Sequence, residues 1–187
     1  MATAYGVEMT KLAVSQTSPR SVREVGSAGG KVRVFMDTIS AATTDIDDDD
    51  IIMLAEIPSG AKIKSIKLYN DDMDSNGSPA IVTDLGIYNG NTAFSDTDGS
   101  ATRYAAEGVI DRDCYGTLST VLQGAVTAGT EFRNETLDIN TVANYMWQDA
   151  GLTSDPGVQL WIALTIETVA ATAAAGDVTI VVEYIIA

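Results

Sequence analysis

Histidine is absent from this 187-residue chain, and every mechanism that needs an imidazole goes with it. The Ser/His/Asp and Cys/His nucleophilic arrangements, the His-containing zinc sites and the usual charge switch near neutral pH are all excluded. One cysteine, Cys114, cannot form an internal disulfide, so the fold must stand on its core and gives no sign of an oxidising compartment. Cations are scarce: 11 Lys and Arg face 26 Asp and Glu, for a net charge of -15. Direct binding of nucleic acid through a basic surface is therefore disfavoured. Aromatic residues are few, at three Phe, two Trp and seven Tyr, which leaves little to stack against sugars. No apolar run reaches the length of about 18 residues needed to span a membrane. The segment Met1–Glu8 places an acid where a leader would need an apolar stretch. The expectation is a soluble protein made in a cytoplasm, without a membrane partner.

The 45% apolar and 20% charged residues describe a globular chain. Its length suits one domain, or one domain and an arm, and is enough to bury roughly 70% of the unfolded surface. Charge divides unevenly. Lys11, Arg20, Arg23, Lys31 and Arg33 outweigh Glu8 and Glu24 to make residues 1–33 net +3, leaving -18 for the remainder. Residues 1–30 also lack a sustained period and contain Ser18-Pro19, Gly26, Gly29 and Gly30. We read them as an extended N-terminal arm that orders on an acidic neighbour, and residues 31–187 as a β-sandwich domain.

From Lys31 onward, short apolar runs alternate with turn signals. In Lys31–Thr38, Val32, Val34 and Met36 share one face and predict a half-buried strand. Further strands are expected over 51–57, 61–69 and 81–88, with a β-bulge where the apolar phase slips between Ile63 and Ile66. Weaker strand signals cover 108–114, 117–126 and 130–137, beyond a polar stretch at 89–107. Asn140–Gly151 has a capping residue, then Val142, Tyr145 and Met146 on one face, then a closing glycine, and predicts the one short helix. Val158–Ile166 and Val178–Ile186 alternate cleanly over two long strands. Their connection is too short for a parallel crossover, which predicts antiparallel neighbours. Eight or nine such strands with one helix predict an all-β fold, an antiparallel β-sandwich of jelly-roll type.

Candidate chemistry is thin. Asp72, Asp74 and Asn76, followed by Gly77, match the start of a calcium loop, whose alternate oxygens converge on a hard cation. The match fails at Thr83, where the bidentate Glu should stand, and an ordinary Asp/Asn/Gly turn explains the same residues. Calcium there stays a minor alternative, and no other cofactor is expected. Asp45 and Asp47–Asp50 read as a solvated acidic loop. Gly26–Val32 departs from a phosphate-binding loop at two required positions, Val25 and Val32. Glu107, Asp111 and Asp113 offer carboxylates without a visible cleft. Cys114 reads as a small, partly buried apolar residue. No enzyme is expected.

Several stretches resemble a group of tailed-bacteriophage virion structural proteins. They are Met1–Gly6 with Thr10-Lys11-Leu12, Gly29–Val34, Ile57–Ile63, Tyr145-Met146-Trp147, Ala150–Gly157 and Val181–Tyr184. The resemblance implies a jelly-roll decoration or cement protein, located on the outer capsid surface of the virion and bound to the major capsid protein. It further implies a homo-oligomer there, a trimer being one form. The +3 arm supplies a physical route: Lys11, Arg20, Arg23, Lys31 and Arg33 can pair with capsid carboxylates while the backbone adds to a sheet edge. The alternative is a glycan-binding jelly-roll module on the virion surface or tail, with calcium at Asp72, Asp74 and Asn76.

Overall fold

The computed structural model describes residues 31–89, 109–133 and 141–186. Eight strands follow one another: β1 (Val32–Ala41), β2 (Ile51–Pro58), β3 (Ala61–Asn70), β4 (Val82–Asn89), β5 (Val109–Ser119), β6 (Val126–Glu131), β7 (Gln159–Thr168) and β8 (Gly176–Ile186). A 3-10 turn at Val121–Gln123 separates β5 from β6, and helix α1 (Met146–Asp149) precedes β7. The strands form two four-stranded sheets, ordered β1-β8-β3-β6 and β2-β7-β4-β5, with every neighbouring pair antiparallel. Successive strands mostly pass from one sheet to the other, which is the jelly-roll arrangement of an antiparallel β-sandwich.

Period-two alternation builds the core between the sheets. Ile63, Ile66 and Leu68 of β3 and Val178, Ile180 and Val182 of β8 face Ile52, Leu54 and Ile57 of β2 and Leu160, Ile162, Leu164 and Ile166 of β7, all buried. The expected bulge in β3 is present: the register against β8 slips between Ile63 and Ser65, and Lys64 is the additional residue. The slip keeps both Ile63 and Ile66 inside.

Four expectations need correction. In β1 the inward residues are Phe35, Ile39 and Ala41, while Val32, Val34 and Met36 point outward. Both faces of this strand carry apolar residues, and it is Phe35 and Ile39 that pack against the core. The last two strands are not neighbours, because β7 and β8 lie in opposite sheets. Residues 169–175 are too few for a parallel crossover but long enough to cross the roughly 10 Å between packed sheets. Helix α1 starts at Met146, with Val142 exposed in the turn before it. Its cap is reciprocal: the Tyr145 N–H donates to Gln148 Oε1 at 2.9 Å, and the Gln148 N–H donates to the Tyr145 carbonyl. Finally, β5 runs through to Ser119 and β6 begins at Val126, so the stretch 117–126 is a strand end and a 3-10 turn.

β5 also departs from regular pairing. Leu85 of β4 pairs with Gly116 and Ile87 pairs with Asp111, so Arg112–Tyr115 bulge away between them. The bulged backbone lies directly on Gly86, where any Cβ would stand 2.1 Å from the Arg112 carbonyl carbon. Only glycine admits that approach.

Candidate functional site

Of the five cations assigned to the arm, Lys11, Arg20 and Arg23 lie outside the described residues. Lys31 and Arg33 stand exposed at the entry to β1, an edge strand whose described pairing is to β8 alone. Residues 31–33 therefore lead into a sheet edge, whose outer row of backbone groups can accept another chain.

The turn after β3 brings Asp72, Asp74 and Asn76 together, but not around a shared void. Asp74 is 1% exposed. Its carboxylate accepts backbone N–H groups from Ala80 (2.7 Å), Ile81 (3.1 Å), Ala171 (2.8 Å) and Thr172 (2.9 Å). Burial opposes the charge, but these N–H groups outweigh it and hold the carboxyl below the usual carboxylate range. Asp72 Oδ1 accepts the Asp74 N–H, and Asn76 Oδ1 accepts the Ser78 N–H, as in ordinary Asx turns. N–H dipoles aimed at a carboxylate repel a cation, so Asp74 acts as a clamp. It ties the β3–β4 connection to the β7–β8 connection, beside a bridge between Asp74 and Ala173.

The acidic loop is likewise organised by its own backbone. Asp45 Oδ2 accepts the Ala42 N–H and Asp50 Oδ2 accepts the Asp47 N–H, both at 2.8 Å, while Ile46 plugs the core. Asp47 and Asp48 face solvent. Glu107 lies outside the described residues. Asp111 is raised above the ordinary carboxylate range by burial, with Asp113 adding to the shift. Burial also pushes the Cys114 thiol well up, against the core, which removes thiolate character.

Three ion pairs were not legible in the sequence. Arg112, carried on the β5 bulge, meets Glu167 at 2.8 Å and Asp84 at 3.5 Å. Arg133 and Asp149 pair at 3.1 Å with both side chains 1% exposed. The Tyr115 hydroxyl donates to the same Asp149 oxygen at 3.2 Å, and Arg133 Nε donates to the Ile63 carbonyl at 3.1 Å. This buried group joins the end of β6 to α1. A shallow groove lies elsewhere, between Glu56, Ser59 and Asp155. Its Asp155 carboxylate already accepts the Ser59 hydroxyl at 2.5 Å and the Gly157 N–H at 2.9 Å. Among the described residues no His, Cys, Asp or Glu group is arranged to hold a metal ion.

No protein-family model and no curated protein matches the sequence. Solved structures do match. A chain of the capsid of Ralstonia phage GP4 is similar over 84% of this chain and 86% of its own, with a TM-score of 0.61 and 19% identity. A chain of the cyanophage Pam1 capsid asymmetric unit is similar over 86% of this chain and 88% of its own, with a TM-score of 0.52 and 25% identity. Both are parts of virus shells rather than enzymes. Jelly-roll topology, a surface organised by hydrogen-bonded turns, and these two counterparts together support a structural role in a phage capsid.

Proposed function

We propose that this chain is a decoration or cement protein that binds the outer surface of a tailed-phage head and stabilises the lattice of the major capsid protein. The observation that carries the reading is the structural match of 84% and 86% of the chain to chains from two phage capsids. Charge supports the outer position: a shell filled with DNA is strongly negative inside, and a protein of -15 is better suited to the exterior. The arm is the attachment device. Lys11, Arg20, Arg23, Lys31 and Arg33 pair with carboxylates on capsid subunits, and the backbone entering β1 extends a sheet edge. Bridging neighbouring subunits raises the force needed to part them, without any chemical step.

Two measurements test this. Deleting residues 1–30 abolishes capsid binding while the β-domain keeps its melting transition; a truncated protein that still occupied expanded heads normally would overturn the arm. Quantitative mass spectrometry of virions gives hundreds of copies per particle, whereas about a dozen or fewer would point to a tail component.

A further inference from the structure

Asn-Gly occurs twice in the chain, at Asn76-Gly77 and at Asn89-Gly90. In such a pair the side-chain amide carbon is open to attack by the glycine nitrogen, because no Cβ shields the nucleophile. The sequence treats the two pairs alike, and the fold separates them. Asn89 closes β4, a central strand of its sheet, where it stands in register with Leu160 of β7. Asn76 belongs to no strand or helix and lies in the exposed stretch 75–78 of the turn after β3.

The turn folds Asn76 toward its own main chain. Its Oδ1 accepts the Ser78 N–H at 2.9 Å, which bends the side chain back along the Gly77 peptide. The same donor steadies the negative charge that develops on Oδ1 when the amide carbon is attacked. Gly77 is exposed, and a Cβ placed there would meet nothing within 4 Å, so solvent reaches its N–H. The short hydrogen bonds of Asp74 run to Ala80, Ile81, Ala171 and Thr172, outside residues 76–78, so ring closure at Asn76 need not open the clamp. Asn76 Nδ2 donates to the Thr172 hydroxyl at 3.0 Å, a tie that leaves with the amide nitrogen.

We propose that Asn76 is a modification site: in the folded protein its amide cyclises onto the Gly77 nitrogen and hydrolyses to aspartate and isoaspartate, while Asn89 is protected by its strand. Hydroxide removes the Gly77 N–H proton, and the nitrogen forms a bond to Asn76 Cγ. The Cγ–Nδ2 bond breaks, and that nitrogen takes up a proton from water and leaves as ammonia. Water then opens the succinimide: addition at Cγ gives aspartate, and addition at the Asn76 main-chain carbonyl gives isoaspartate. Nothing is oxidised or reduced. Either product adds one negative charge beside Asp74, whose Oδ1 already lies 3.4 Å from the Asn76 nitrogen, and loses the donor to Thr172. Isoaspartate also lengthens the main chain by one carbon, inside the turn that Asp74 ties to the β7–β8 connection. Asn89 would first have to leave its pairing with Leu160, which requires local opening of the sheet. None of this depends on what the chain binds.

The test holds full-length protein in mildly alkaline buffer, folded and in denaturant, and maps its peptides by mass spectrometry with isoaspartate resolved by electron-transfer fragmentation. In the folded protein Asn76 converts about ten-fold or more faster than Asn89, a ratio that an opening cost of about 1.4 kcal/mol at the end of β4 already supplies. In denaturant the two convert within about three-fold of each other. Gly77→Ala, whose methyl group has room and whose φ lies outside the left-handed region, keeps the melting temperature and slows conversion at Asn76 about ten-fold, with Asn89 unchanged. The comparison with Asn89 needs no variant, so it decides even where alanine disturbs the turn. Folded protein in which Asn76 converts no faster than Asn89, or stays intact while denatured protein converts, overturns the site. Aspartate formed without isoaspartate overturns the ring and assigns direct hydrolysis by water.

Discussion

Replacing Asp74 with alanine removes the acceptor of five backbone N–H groups, from Ala80, Ile81, Ala171, Thr172 and, at 3.4 Å, the exposed Asn76. Ala171 and Thr172 are exposed and can turn to water; Ile81 is buried and Ala80 half-buried, so their donors cannot. At about 1–3 kcal/mol for each buried donor left unsatisfied, with the lost charge assistance added, the cost is about 3–5 kcal/mol. For a chain of this size that lowers the melting temperature by about 6–20 °C. Asp74→Asn costs nearly as much, because its NH₂ group meets N–H donors. The pH dependence follows from the depressed carboxyl. Its folded-state pKa lies below its unfolded value of about 3.9, so the stabilisation is fully present above that pH and is lost as pH falls through the folded pKa. The gap between wild type and Asp74→Ala should be flat from about pH 5 to 8 and close progressively below about pH 4. Calorimetric melts of both proteins across that range provide the assay. An alanine variant melting within about 2 °C of wild type at neutral pH, or a gap that persists undiminished at the acid end, would refute the clamp.

Gly86→Ala drives a methyl group into the Arg112 backbone and should cost about 3 kcal/mol or more; an unchanged urea midpoint would show that the β5 bulge yields. Arg133→Met strands the Asp149 carboxylate and should cost about 3–5 kcal/mol, with Arg133→Met/Asp149→Leu recovering most of it; a double variant no better than the single would contradict the pairing. Cys114 should react with a thiol reagent more slowly than a free thiol, because burial pushes its thiol up and holds it protonated; labelling at the rate of a free thiol would contradict its packing. Millimolar calcium should leave the melting temperature within about 1 °C, and a saturable rise would reinstate a cation at Asp72 and Asn76.

Most of the fold could be read from alternation along the chain. The inward and outward sets of β7 and β8 stand as their period requires, and the slip between Ile63 and Ile66 marked the bulge in β3. Legibility failed where two readings were locally equal. β1 has apolar residues on both faces, so periodicity alone could not choose the buried one; contact with the opposite sheet did. The hairpin expected between β7 and β8 failed because a connection that excludes a parallel crossover does not thereby require pairing. The candidate site was less legible still. Asp74 looked like a cation ligand because a carboxylate followed by Asn and Gly suits an ion and a turn alike, and the N–H groups that decide between them come partly from residues almost a hundred positions away. Arg133 and Asp149 carry no spacing signal, since what pairs them is the packing of α1 against the sandwich.

The position of β8 between β1 and β3 has a consequence for how the chain acquires its shape. Of the described strands β1 emerges first and β8 last during synthesis, yet among the described residues β1 pairs over its whole length only with β8. Until that strand arrives, β1 and β3 have no common neighbour, and half of the sandwich presents unpaired edges and bare apolar side chains. Closure must therefore be late and cooperative, with pairings such as Val32 to Ile185 that span nearly the whole chain and slow the search. The nascent protein is thus most prone to aggregation in the interval before β8 leaves the ribosome. A chain shortened before β8 would leave β1 without its described partner and β3 with β6 alone, so the sheet would be split at its centre.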